Sequence, residues 1–298
     1  MPRVLTIRIF YHGEKNFMDK MLKKTALILV AVIISFLLIA ASFRSQEKIA
    51  VFAGSACKPA LEEAAIAFEE KTQIKVELIF GGSGTVLSQM KISKSGDVYI
   101  PGSPDYMAKA FKEDVVEDAG KIIAYLVPAI IVQKGNPKNI KTLGDLAKPG
   151  VRVGIADPNS VCVGQYAVEI LKHNLLYEDI AKNIVAYAES CSKTASIIAM
   201  GNVDAVIGWD VFHSWNPDKT KIIYIEPYGK IPKLAYIPAS VSKYAKNRDA
   251  AKSFINFLIS GEGQKYFKKW GYVTSEEEAK KFAPDAVVPT VFELLEEI

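Results

Sequence analysis

Histidine and cysteine are scarce in this chain, three of each in 298 residues, and the shortage excludes whole classes of chemistry. His12, His173 and His213 stand far apart in sequence and near no nucleophile candidate, so no hydrolytic triad is in prospect. Neither G-x-x-x-x-G-K-[ST] nor G-x-G-x-x-G occurs, and no Cys-x-x-Cys pair. No cofactor is therefore called for. The net charge is only +4 and no run of Lys or Arg builds a nucleic-acid groove. Without an acid/base constellation, a binding protein is a better reading than an enzyme, and an α/β hydrolase is the weakest alternative.

What the chain has in quantity is apolar residues, half of the total, enough for large cores. One apolar block stands apart. Lys23 and Lys24 precede ALILVAVIISFLLIAASF, Ala26 to Phe43, which carries no charge. A short basic region before an apolar run is the arrangement of a secretory signal. Met18 and Met21 are candidate starts. The run approaches the ~20 residues of a spanning helix, and Ala40, Ala41 and Ser42 form no clean A-x-A site, so cleaved signal and membrane tether both stay open. No cysteine directly follows the run, which argues against a lipidated N-terminal Cys. The chain is expected to be exported, periplasmic or extracellular. An odd number of cysteines in an exported chain leaves at least one of Cys57, Cys162 and Cys191 unpaired with the others.

From Ile49 to Asp105 one pattern repeats: an apolar strand, a turn rich in Gly and Ser, then a helix. Strands are expected at Lys48–Phe52, Lys75–Phe80 and Asp97–Ile100. The turns are GSACK, GGSG and PGSPD. Pro59 suits the first turn of the helix that follows GSACK. Alternating strands and helices predict parallel pairing. Helix starts at the carboxyl ends of such strands present free N–H groups and the positive end of the dipole, which favours anions. Ser55, Ser83 and Ser103 add hydroxyls; the bland alternative is that each merely caps its helix.

AYLVPAIIVQK and KLAYIPASVSK carry Pro128 and Pro238 in mid-strand, where proline signals an edge or a bend. They bracket a second α/β segment with strand Val151–Ala156, the turn before helix Gln165–His173, the turn ESCS before helix Lys193–Met200, and strand Ala205–Trp209. These two segments are expected to be the crossings of a hinge near Tyr125–Pro128 and Tyr236–Pro238. The resulting division is residues 1–45 for signal or anchor, 46–127 for the first lobe, 128–236 for the second, and 237–298 for the return to the first lobe with the C-terminal helices. Helices Arg248–Ile259 and Gln264–Trp270 close the folded part, and no role is assigned to the tail from Thr274.

VFAGS with its helix, FGGSGTVLSQM, DVYIPGSPDYM, ADPNSVCVGQYA and AKSFINFLISGEGQKYFKKWGY follow one another as in the substrate-binding proteins of ABC importers. Over Ile49 to about Tyr272 the chain most resembles the molybdate- and tungstate-binding branch. The resemblance implies a type 2 periplasmic-binding-protein-like fold of two doubly wound α/β lobes. It implies a monomer that holds a tetrahedral dianion between them through neutral donors and presents it to a membrane permease, cavity size separating molybdate and tungstate from sulfate. It places hydroxyl donors on Ser55 and Ser83, with Ala56 beside the first. Gly102 or Ser103 falls at the third turn. Backbone contacts fall on Val163 and near Cys191, and Trp209 stands where the family has a tyrosine. An indole N–H donates but cannot accept. Lys58 adjoins the first turn.

All three cysteines fall in these turns. Each alone reads as a small buried hydrophobe or as half of a disulfide. Together they define the alternative expectation, a thiolate site for Cu(I), Zn(II) or a trivalent metalloid on Cys57, Cys162 and Cys191, completed by Asp210 or Glu189.

Overall fold

A computed structural model describes residues 18, 21–33, 35 and 47–297. The chain divides into two units, Met1–Gln46 and Glu47–Ile298. In the first, residues 21–33 are helical, with the Thr25 hydroxyl donating back to the Met21 carbonyl at 2.9 Å. Among the described residues no helix is long and apolar enough to cross a membrane; residues 36–43 of the apolar run lie outside them.

The second unit holds two five-stranded sheets. Strands β1 (Lys48–Gly54), β2 (Lys75–Gly81), β3 (Val98–Ile100), β4 (Lys121–Leu126) and β10 (Ala235–Val241) form the first, in the order β2-β1-β3-β10-β4. Strands β5 (Pro128–Gln133), β6 (Val153–Ala156), β7 (Ile184–Ala188), β8 (Ala205–Trp209) and β9 (Thr220–Tyr224) form the second, in the order β7-β6-β8-β5-β9. The expected parallel pairing holds for β2-β1-β3 and β7-β6-β8. The Pro-bearing strands β10 and β5 are instead antiparallel to both their neighbours, and neither lies at an edge of its sheet. The cause is the route of the chain. Home strands run toward the edge where the two sheets face each other, whereas β5 and β10 arrive from the other sheet across that edge and run away from it.

AYLVPAIIVQK is thus two strands in two sheets, joined at Val127. Pro128 opens β5 opposite Trp209, a first-residue position that needs no ladder donor. The return lies between Tyr224 and Ala235, upstream of Tyr236 and Pro238, which are already inside β10. Pro238 sits in the middle of that strand at a register shift against β4, a bulge that accommodates its missing N–H. The tail also departs from a simple return to the first sheet. Ala279, Ala283 and Ala286 pack with Ile130, Val153, Ile155 and Ile207 of the second sheet, and Val291 and Leu294 rejoin Phe52 and Tyr99 of the first, with Phe292 against Phe111.

The helices that start at the facing edge include α1 (Lys58–Thr72), α2 (Ser83–Ser93), α3 (Pro104–Lys112), α4 (Cys162–His173) and, after the short α5 (Tyr177–Ala181), α6 (Cys191–Ala199). The expected starts of α4 and α6, Gln165 and Lys193, are too late. Both helices begin at their cysteine, so Cys162, Val163 and Cys191 lie within first helical turns. Beyond α7 (Val211–Trp215) come α8 (Arg248–Ile259) and α9 (Gly261–Lys269), packed on the outer face of the first sheet with α1 through Phe68, Phe254 and Phe257. The last of these helices was expected from Gln264; Gly261, Glu262 and Gly263 are instead the first turn of α9, capped by Ser260, which accepts from the Gly263 amide.

Candidate functional site

Four of the helices that start at the facing edge carry no side-chain cap. Asn247, Ser260 and Ser275 cap later helices through their side chains. By contrast α1, α2, α3 and α4 follow Cys57, Gly82, Ser103 and Val161 with no side-chain cap. No side chain caps their first-turn N–H groups, although Gly164 donates to the Val161 carbonyl and Lys58 to the Ser55 carbonyl; α6 is capped by Ser190. The cap-only reading of the three serines is therefore wrong. Ser55 lies in a 3-10 turn ahead of α1, Ser83 is the first residue of α2, and Ser103 precedes α3 with its hydroxyl buried and unpartnered.

The backbone fixes the two remaining hydroxyls. Gly102 N–H donates to Ser83 Oγ at 3.0 Å, and Ser192 N–H, from the first turn of α6, donates to Ser55 Oγ at 3.2 Å. A hydroxyl that accepts a backbone N–H keeps its own proton to donate. The Ser192–Ser55 bond joins the two lobes, as does the Gly84 amide to the Ser160 carbonyl at 3.0 Å. Glycine permits this approach at two points. A Cβ on Gly102 would lie 2.7 Å from Cys162 Sγ and 2.9 Å from Ala56 Cβ, and one on Gly82 2.8 Å from the Ser160 carbonyl. Ala56 is fully buried, its carbonyl accepting from the Tyr272 hydroxyl at 2.5 Å.

From the second sheet come Val163, Cys191 and Trp209, all buried. Burial pushes the Cys191 thiol well above its ordinary pKa; Cys162 beside it adds to the shift, while the Trp209 indole and the Val163 backbone oppose it. The Trp209 indole N–H has no hydrogen-bond partner, a thiol being a poor acceptor. Burial likewise raises Cys57, whose thiol donates to the Gly54 carbonyl at 3.3 Å, and the phenols of Tyr99, Tyr166 and Tyr272. These groups stay neutral. Lys58 faces away, 3.7 Å from Glu62 and over the Phe80 ring. What the edge offers is a dry set of neutral donors.

The three-cysteine thiolate site is not assembled. Cys57, Cys162 and Cys191 are buried and free, and among the described residues no three His, Cys, Asp or Glu side chains come together as a metal site. Asp210 caps α7, accepting from the Val211 amide at 2.9 Å, and the Glu189 side chain is exposed toward Lys193. His173 and His213 bond to the Gly229 carbonyl and Thr220 hydroxyl; His12 lies outside the described residues. Reading the sequence missed Ser192, although a serine next to Cys191 in the same turn was available to it. It also missed Asp105, Tyr166 and Lys233, which lie within recognised stretches but meet one another only through the fold.

A facing pair of mixed sheets with helix starts and hydroxyls between them defines a two-lobed solute-binding protein. Residues 49–273 match the bacterial extracellular solute-binding protein family, and the chain belongs to it: an extracytoplasmic solute-binding protein of ABC transporters, not an enzyme. The molybdate-binding protein ModA of Rhodobacter capsulatus is 28% identical over 240 residues, 76% of this chain and 88% of that protein. The same fold occurs in the periplasmic molybdate-binding protein of Azotobacter vinelandii (TM-score 0.66, 19% identity, 76% of this chain and 100% of that one). It occurs again in the sulfate-binding protein SubI of Mycobacterium tuberculosis (TM-score 0.67, 19% identity, 83% and 96%).

Proposed function

We propose that this protein captures a tetrahedral oxyanion of the molybdate or tungstate type between its lobes and delivers it to an ABC permease. The observation that carries this reading is the pair Ser55 and Ser83. Each hydroxyl is oriented by a backbone N–H so that its proton is free, and each stands among uncapped helix starts. Neutral donors suit an ion that is already a dianion, since no proton has to be lost on binding and no buried countercharge is left when the ion departs. Backbone N–H groups at the starts of α2 and α4, and the Trp209 indole, complete the donor set. The name of the Rhodobacter relative supports molybdate; the sulfate-binding neighbour makes size discrimination the open question for the experiment. The crossings at Val127 and between Tyr224 and Ala235 act as the hinge, and the run Ala26–Phe43 directs export. The mass of the protein recovered from the membrane and from the medium reports whether that run is removed.

Calorimetric titration with molybdate, tungstate, sulfate, Cu(I), Zn(II) and arsenite tests the assignment. The expected result is saturable binding of molybdate and tungstate, weaker binding of sulfate, and the same oxyanion affinity after all three cysteines are changed to Ser. A thiol-dependent metal signal with no oxyanion binding would overturn it.

A further inference from the structure

Away from the donor set, the two lobes are joined by a second cluster, built on a charge. Lys233 stands in the returning crossing just before β10. Its ammonium lies 2.8 Å from Asp105 Oδ1 and 3.0 Å from Glu169 Oε2, and 4.9 Å from the centre of the Tyr166 ring. The Tyr166 hydroxyl donates to Asp105 Oδ2 at 3.1 Å. Asp105 belongs to the first turn of α3 on the first sheet; Tyr166 and Glu169 belong to α4 on the second. One cation on the crossing therefore holds an acid from each lobe, and a phenol ties the same acid across the gap.

Exposed ion pairs contribute little to stability, but this one is shielded: the Lys233 and Asp105 side chains are 17% and 23% exposed, and Tyr166 is buried. Burial works against the Lys233 charge, yet Asp105 and Glu169 outweigh it and raise the ammonium above its ordinary pKa. The crossing is itself braced, Leu234 N–H donating to the Val287 carbonyl and Val287 N–H to the Pro232 carbonyl at 2.8 and 2.9 Å. The cluster also touches the donor set: the Tyr166 ring packs edge-on against Trp209, centroids 5.3 Å apart. An ion that fixes Trp209 thereby fixes Tyr166, and through it Asp105.

We propose that Asp105, Tyr166, Glu169 and Lys233 form a closing latch that sets the affinity for the ligand and the rate of its release without touching it. The proposal rests on the reading that the lobes open and close about the crossings. A ligand held between lobes binds with an apparent affinity scaled by the fraction of protein that is closed. Groups that bond only in the closed arrangement raise that fraction, and losing them shows chiefly as faster dissociation.

Spin labels on Ile92→Cys and Leu175→Cys, positions 86% and 91% exposed on opposite lobes, report the inter-lobe distance by pulsed electron resonance. In the ligand-free protein, Asp105→Asn and Lys233→Met are expected to shift the distribution toward longer distances. Both should weaken molybdate binding about tenfold, mostly through the off-rate, with Tyr166→Phe producing a smaller change in the same direction. Thermal melts confirm that each variant is folded, and the Lys233→Met result stands independently if Asp105→Asn is not. Two populations in the parent protein that keep their ratio in both variants would overturn the latch and leave the hinge intact. A single distance in the parent protein, unchanged by molybdate, tungstate or sulfate, would overturn the hinge reading and the latch with it.

Discussion

The amide of Ser192 donates to the hydroxyl oxygen of Ser55 at 3.2 Å, across 137 residues of sequence and between the two lobes. The bond does two things at once. It joins the first turn of α6 to the turn ahead of α1, and it turns the Ser55 proton away from the backbone. Hydrogen bonds to a charged acceptor contribute about 1.5–3 kcal/mol. Ser55→Ala is therefore expected to weaken oxyanion binding by about tenfold to a hundredfold, with Ser83→Ala producing a similar loss. Calorimetry on each variant checks this; unchanged affinity in both would remove the hydroxyls from the site.

Gly102 tests the closeness of the lobes. A methyl there meets Cys162 Sγ at 2.7 Å and Ala56 Cβ at 2.9 Å, overpacking of a kind that costs about 1–3 kcal/mol. Gly102→Ala should weaken ligand binding, and Cys162→Ala in the same chain should restore part of the loss. Additive losses in the double variant would show that the two residues do not meet in the bound form.

Asp210 couples the fold to pH. Burial raises its carboxyl from 3.8 to about 7, while the backbone N–H groups of Val211 and Val127 oppose the shift. Below pH 3.8 the group is protonated folded and unfolded, and it has no effect. Between 3.8 and about 7 the unfolded carboxyl ionises first, so stability falls as pH rises through that window and stays lower above it. Asp210→Asn removes this titration. Urea unfolding at pH 4.5 and pH 8 should show the variant gaining on the parent at the higher pH; a constant difference would contradict the raised carboxyl.

The cysteines should behave as packing. With burial holding Cys57 and Cys191 protonated, the native protein should react slowly with a thiol-specific disulfide reagent and the unfolded protein promptly. Rapid reaction of the native protein would show that at least one of the three sulfurs is accessible.

Much of the first sheet could be read directly. The strand–turn–helix repeat gave β1, β2 and β3 to within a residue or two, because short apolar strands and Gly-Ser turns are local signals. Pro128 and Pro238 correctly marked irregular backbone, but not its nature. Leu126 and Pro128 belong to different sheets, a fact of tertiary path that a continuous apolar run conceals. The expected edge or bend did not reveal that β5 and β10 each lie inside a sheet, antiparallel to both neighbours. The start of α4 was misplaced because an uncapped helix offers no Ser, Asp or Asn cap as a signal, and that of α6 was misplaced although Ser190 caps it. Ser55 and Ser83 stood out as residue types in the right turns; their orientation by Ser192 and Gly102 did not, since it depends on contacts distant in sequence. Asp105 and Lys233, 128 residues apart, are ordinary surface types until the fold pairs them.

The central claim is that an oxyanion sits between Ser55, Ser83 and the start of α4. Tungstate supplies both the ligand and the signal. An anomalous difference map from tungstate-bound crystals should place one strong peak whose oxygens are within hydrogen-bond reach of both serine hydroxyls and of the Val163 backbone N–H, that is, about 2.7–3.2 Å. A peak elsewhere on the chain, or none at saturating tungstate, would contradict the account.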